Sequence, residues 1–390
     1  MTEQPAKDGG RDIFLVCNAV NELGGVGTWT HQMARLFAAR GHLVHVVGIT
    51  PPSHPFELDQ DLPYGTTTLY DVHPPSVPGA RGIKGKLNVA DRRRRAARAE
   101  GMREQADKLT RMFDRARPGA VVIVTQVWAM EWVALADTSA LTVIGMTHES
   151  FETCRRSSRF ARVKRFYGNN GVDRLLALTR EDADLWAQQR LDNVDFMPNP
   201  LPFFPETPSP RTGKHVVSIG RLHEEKGTDL LLDAWSEVAP LHPGWTLRVY
   251  GTGSDEAALR HQCAELGLDG SVEWMGRTDD PAGALREGSV FTLASRGEGF
   301  PLSLLEAMAT GVPCVAFDVA PGIREIIRDG EDGLLAPPGN TLAFARRLDS
   351  LLGDQELRDR LGEAARTNIQ RYRTEEIVRR WEDLFAFLER

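Results

Sequence analysis

Ser295-Arg296-Gly297-Glu298-Gly299-Phe300-Pro301-Leu302-Ser303-Leu304-Leu305-Glu306-Ala307-Met308 joins two kinds of local structure. The residues before it, 289–294, form a short apolar run of strand length. Pro301 stands where a first helical turn begins, a position that tolerates its missing N–H. Leu302, Leu305 and Met308 then mark one buried helical face, and Gly311 ends the helix. Strand, Gly-rich loop and helix in this order build one repeat of a parallel sheet. The helix start offers free N–H groups and a positive dipole end, which suit an anion such as a diphosphate. Glu298 lies in the loop and Glu306 in the helix. If all the residues between them were helical, eight steps would span roughly 12 Å. That is too far for two carboxylates to share a proton, and suited to gripping two ends of an extended ligand.

Outward from this stretch the same alternation recurs. In the C-terminal half, strands are expected at 215–219, 246–250, 271–274, 290–294, 312–317 and 333–336, with helical stretches between. In the N-terminal half they are expected at 13–17, 43–47, 66–70, 121–125, 141–146, 175–179 and 194–197. The fold class is therefore α/β, with two Rossmann-like domains of parallel strands covered on both faces. Residues 201–213 carry four prolines and no apolar periodicity, and are read as the linker. The expected organisation is a flexible tail (1–11), an N-terminal domain (12–200), the linker, a C-terminal domain (214–372) and a last helix (373–390). That helix sets Ile377, Trp381, Leu384, Phe385 and Leu388 on one face. Residues 51–78 read as a long Pro-rich surface segment and 84–117 as a strongly basic helix.

The first strand leads into Asn21-Glu22-Leu23-Gly24-Gly25-Val26-Gly27 and a helix ending at Gly41. A nicotinamide cofactor is disfavoured: the loop lacks a further glycine, and no acid ends the second strand, where Gly48-Ile49-Thr50 stands. A length of 390 residues with 41% hydrophobic content supports two domains with real cores. The formal net charge of −7 argues against nucleic acid as a partner. No apolar run approaches the ~18 residues of a membrane span, and residues 1–11 lack the apolar region of a signal peptide. Cys17, Cys154, Cys263 and Cys314 are scattered and read as reduced thiols of a cytoplasmic protein.

Glu298 and Glu306, with the Gly-Phe-Pro between, resemble the Glu-x7-Glu signature of retaining glycosyltransferases, in particular glycosyltransferase family 4. Gly220-Arg221-Leu222, Glu225-Lys226-Gly227, Gly251-Thr252-Gly253 and Asn340 follow in the family's order. The resemblance is firm over 214–340 and looser before. It implies the GT-B arrangement, two Rossmann-like domains facing across a cleft, with the C-terminal helix returning to the N-terminal domain. It implies a nucleotide-sugar donor, with UDP as the expected nucleotide, and no metal or other cofactor. Arg221 and Lys226 would neutralise the departing diphosphate, Arg by a planar fork and Lys as a point charge. Glu306 would accept from the ribose hydroxyls as an ionised carboxylate. The competing reading of Glu306 is a helix acid in a capping box with Ser303. Glu298 would face the donor sugar, with Gly299, Phe300, Pro301 and Leu302 lining the same wall. His148 would contact the donor sugar, and Gly24 and Gly25 would let backbone approach phosphate or acceptor. Gly276-Arg277 falls where the family wraps the nucleobase.

Two D-x-D triplets, Asp59-Gln60-Asp61 and Asp182-Ala183-Asp184, are expected by chance among 54 acids, so no metal is assigned. The run Arg92, Arg93, Arg94, Arg95 reads first as a solvated helix face paired with Glu100 and Glu104, and second as a dock for anionic lipid head groups at the inner membrane face or a phosphate-bearing acceptor. The acceptor class spans secondary metabolites, lipids and polymers. Rival functions are a glycoside hydrolase or phosphorylase using the two acids, and a non-catalytic nucleotide-sugar-binding protein on the same fold.

Overall fold

Strands such as Val121–Val124 and Cys314–Phe317 are apolar at every position, and every residue in them is buried. Such strands are covered on both faces, as in a parallel sheet with helices on either side. The computed structural model describes residues 10–74, 89–168 and 171–389. Seven strands form the first sheet: β1 Asp12–Cys17, β2 Leu43–Gly48, β3 Gly65–Thr68, β4 Val121–Val124, β5 Thr142–Met146, β6 Arg174–Ala177 and β7 Val194–Phe196, in the order β3-β2-β1-β4-β5-β6-β7. Six form the second: β8 His215–Ile219, β9 Thr246–Tyr250, β10 Val272–Gly276, β11 Val290–Leu293, β12 Cys314–Phe317 and β13 Leu334–Ala336, in the order β10-β9-β8-β11-β12-β13. All the pairings between these strands are parallel.

The chain divides into two units. Unit 1 comprises 1–148, 154–197 and 378–390; unit 2 comprises 149–153 and 198–377. In unit 1 the helix Gly25–Ala39 turns Trp29, Met33 and Phe37 into the core. Trp381 and Phe385, on the helix Thr374–Leu388, pack on Phe37 at ring separations of 5.9 and 5.7 Å. Glu382 holds Arg40 through two 2.8 Å bonds. In unit 2 the helix Thr228–Val238 buries Leu231, Leu232 and Trp235 against β8 and β9.

Two boundaries differ from the sequence reading. Residues 201–213, expected as a linker, are a strap on unit 2. Leu201 N–H donates to Tyr372 O (2.8 Å), and the buried Ser209 binds Thr310 O and Gly288 O (2.8 and 2.6 Å). Arg211 reaches Asp359 at 2.9 Å and Gly311 O at 3.1 Å. The prolines remove donors, and these remaining donors find partners on the domain. At the other end, Arg11, expected in the tail, donates to His42 Nδ1 at 3.0 Å and pairs with Glu389. Residues 1–9 of that tail, 75–78 of the Pro-rich segment and 84–88 of the basic helix lie outside the described residues. The basic helix is seen as Val89–Phe113, with Arg92, Arg93 and Arg94 exposed and Arg95 half-buried.

Candidate active site

The loops after β8 and β11 lie at the carboxyl ends of neighbouring strands in unit 2, the end where open parallel sheets bind ligands. After β8 the chain passes Gly220 and Arg221, forms a single 3-10 turn at Glu224–Lys226, and enters the helix Thr228–Val238 through Gly227. Gly227 has φ +65°, and a Cβ there would stand 2.0 Å from Ala294 O, so only glycine lets the two loops close on each other. After β11 the chain passes Ser295 to Phe300 and enters the helix Leu302–Ala309. Gly299 is met from the other side by Gly322, whose added Cβ would lie 1.9 Å from Gly299 O.

Between these loops the charges form one cluster. Lys226 Nζ lies 2.7 Å from Glu298 Oε1, and Ser295 Oγ donates to the same oxygen at 2.6 Å. The Glu298 side chain is 8% exposed, and a carboxylate so covered needs hydrogen-bond partners such as these. A small hollow beside them is lined by Ser218, Gly220, Lys226, Thr228, Tyr250 and Ser295. Arg221 is exposed, and its guanidinium has no partner among the described residues.

Glu306 is partly covered, and its carboxyl has no hydrogen-bond partner among the described residues. Burial pushes it up to about 7, because removal from water disfavours the charged form. The shift bears on the expectation of an ionised carboxylate, since burial favours the neutral acid until hydrogen-bond partners are supplied. The capping-box alternative is also excluded. Pro301 is the N-cap, with ψ 120°, and no side chain caps this helix. Pro301 therefore stands one position before the first helical residue, not in the first turn. Its ring is buried, and Phe300 O is held by Asn199 Nδ2 at 2.9 Å.

Unit 1 carries the other expected residues. His148 follows β5, its ring edge-on to Trp29 at 4.8 Å. The residue is only partly covered, yet its Nε2 is shielded from solvent and has no hydrogen-bond partner among the described residues. Burial lowers it to about 4, which makes it a neutral imidazole at pH 7. Gly24 is the N-cap of the helix Gly25–Ala39, with φ +138° and open space around it, as there is around Gly25.

Within unit 2, then, the structure brings Arg221, Lys226, Glu298, Gly299, Phe300, Pro301, Leu302 and Glu306 to one set of loops. Asn340 instead caps the helix Thr341–Gly353, accepting from Ala343 N–H at 3.0 Å. Arg277 is exposed and pairs with Asp279 at 3.4 Å. Of the two D-x-D triplets, Asp59 pairs with Arg35 at 2.5 Å and Asp182 is buried against Thr179. Sequence reasoning gave no role to Ser295, Arg296, Asp229 or Asn199. Ser295 and Arg296 open the decisive stretch itself, and a polar pair beside the acid of a Gly-rich loop was the available signal.

Both units are Rossmann-like, and the fold is that of the GT-B class. The structure of a point mutant of S. aureus TarM, in complex with Fondaparinux, alpha-GlcNAc-glycerol and UDP, matches with TM-score 0.76 at 16% identity, over 96% of this chain and 99% of that one. The pneumococcal O-GlcNAc transferase GtfA, in complex with UDP and GlcNAc, matches with TM-score 0.74 at 14% identity, over 97% and 99%. The family model for glycosyl transferases group 1 matches residues 202–368. The amylovoran biosynthesis glycosyltransferase AmsD of Erwinia amylovora is 30% identical over 246 residues, 61% of this chain and 68% of that protein. The chain belongs to the glycosyl transferases group 1 family. An exopolysaccharide phosphotransferase of Streptomyces coelicolor is 39% identical over 222 residues, 56% of this chain and 24% of that protein. For a glycosyltransferase of Haemophilus influenzae the figures are 30% over 214 residues, 54% and 61%. The matched part thus spans about a quarter of the first of these two proteins and about three fifths of the second. No helix among the described residues is long and apolar enough to cross a membrane.

Proposed function

We propose that this protein is a retaining glycosyltransferase that moves a hexose-type sugar from a UDP-linked donor to an acceptor hydroxyl without a metal. The observation that carries the reading is the cluster of unit 2. A cation bonded to a buried carboxylate and an arginine stand on adjoining loops at the strand ends, with an acid on the helix that follows, and neither the arginine nor that acid has a side-chain partner among the described residues. The family and the UDP named in the matching structures support the same donor.

In this reading Arg221 and Lys226 take the diphosphate, and the N-terminal ends of the helices after the two loops add N–H groups to it. Glu306 accepts from the ribose hydroxyls. A bound diol supplies the hydrogen bonds that the carboxyl lacks, which favours its charged form. Glu298 faces the sugar, with the backbone of Gly299 to Leu302 beside it. For His148 the role is a neutral hydrogen bond to a sugar hydroxyl, and for Gly24 and Gly25 close backbone approach to phosphate or acceptor. The acceptor oxygen bonds to the anomeric carbon on the face from which the diphosphate departs. The C–O bond to phosphate breaks, and the leaving phosphate oxygen takes the acceptor's proton. Configuration is kept, and no enzyme carboxylate need be a nucleophile.

The test is thermal-shift screening against nucleoside diphosphates and UDP-sugars, followed by mass spectrometry of products and proton NMR of the anomeric signal. Stabilisation by UDP, an alpha-linked product and turnover insensitive to a chelator are the expected results. Hydrolysis of a glycoside without any nucleotide donor, or a beta-linked product, would refute the reading.

A further inference from the structure

Lys226 and Glu298 are 72 residues apart in the chain and stand on separate loops, yet their charged atoms lie 2.7 Å apart. Lysine carries about 2 kcal/mol of rotamer entropy, so a fixed approach requires that both backbones be held. Arg296 links them, through a pair with Asp229 whose side chains are 35% and 38% exposed. Its Nη1 and Nη2 donate to Asp229 Oδ1 and Oδ2 at 2.7 and 2.6 Å. Nη1 also donates to Glu224 O at 2.8 Å, and the Arg296 N–H donates to Glu225 O at 2.8 Å. These bonds all run from the loop of Glu298 to residues 224–229, and none uses Lys226 or Glu298.

The pair also acts on charge. Asp229 sits in the first turn of the helix Thr228–Val238. A carboxylate there suits the helix dipole, but it would repel a diphosphate brought to the same helix end. Burial alone would raise the Asp229 carboxyl; the Arg296 guanidinium outweighs it and holds the group below the ordinary carboxylate range. Asp229 is thus charged and matched.

We propose that the Arg296–Asp229 pair positions the diphosphate-binding lysine, fixing residues 224–227 against the Glu298 loop and cancelling the carboxylate in the first turn of the helix. The proposal rests on the donor reading above. Arg296 is a positioning residue, and no contact with the ligand is assigned to it.

The test uses the full chain and two probes, UDP and uridine, by calorimetry. Arg296→Ala should weaken UDP about tenfold while uridine affinity stays within twofold. The charge-swapped variant, Arg296→Asp with Asp229→Arg, should recover most of the loss. UDP affinity equal to the parent's, or a parallel loss of uridine, would overturn the proposal, since a general structural role weakens both. Amide hydrogen exchange gives a readout without nucleotide: a peptide covering 221–228 should exchange faster in Arg296→Ala, and unchanged protection would overturn the proposal. If Arg296→Ala does not fold, Arg296→Lys takes its place, because it keeps the charge and loses the two-pronged grip. A parent that binds no nucleoside diphosphate would sink the donor reading, while the exchange result still decides whether Arg296 holds the segment.

Discussion

The two units share a strand order built outward from a central first strand, yet the chemistry at their strand ends differs. In unit 2 two ion pairs stand at the strand ends, Lys226 on Glu298 and Arg296 on Asp229, beside an exposed Arg221. In unit 1 the loop after β5 carries a neutral imidazole in a T-shaped contact with Trp29, and the first loop offers glycines in open space. One fold thus supports two kinds of surface, one charged and one neutral. The parallel sheet sets where a site falls; the side chains at the strand ends set what it holds.

The sharpest way to break this contrast is Lys226→Ala. It removes a cation and leaves a nearly buried carboxylate with Ser295 as its remaining partner. UDP affinity should fall about a hundredfold, read by calorimetry, with the helices intact by circular dichroism. Next is Gly322→Ala, which drives a methyl into Gly299 O and should cost about 2 kcal/mol in urea unfolding. It should lower UDP affinity as well, because the displaced backbone lines the site.

Glu306 sharpens the comparison through pH. With its carboxyl raised to about 7, parent affinity for UDP should fall as pH drops below that value. Glu306→Gln should bind about tenfold more weakly at pH 8 and show no such slope. UDP lacking both ribose hydroxyls should not distinguish the two proteins.

The last test lies in unit 1, where the stability effect has the opposite sign to that of Glu306. His148 is lowered to about 4 from 6.5, so between those values the unfolded chain binds the extra proton and stability rises with pH. Glu306 is raised from 4.5 to about 7, so over that range the folded state binds the proton and stability falls as pH rises. Urea unfolding from pH 4 to 7 should show the rising contribution lost in His148→Gln and the falling one lost in Glu306→Gln. Equal slopes in parent and variants would contradict both.

Much of the fold was legible in the chain. Runs such as Val121–Val124 and His215–Ile219 fall between helical periods, and their burial needs no long-range knowledge. The strand, loop and helix around Glu298 were legible for the same reason: a strand, glycines and a helix start are local signals. What stayed hidden was long-range. The strap at 201–213 reads as a linker because prolines suppress local pattern, while its bonds to Thr310, Gly288 and Asp359 span up to 148 residues. Arg296 looked like any loop cation until Asp229, 67 residues earlier, was placed beside it.

The amino-acid order alone determined the α/β class, the strand positions, the two glutamates and the two cations. Periodicity and turn chemistry act over a few residues and can be read along the chain. Only the tertiary structure decided which charges meet, that burial raises the Glu306 carboxyl, and that burial lowers the His148 imidazole. Those properties follow from burial and from partners that folding brings together, and neither is written in any local stretch.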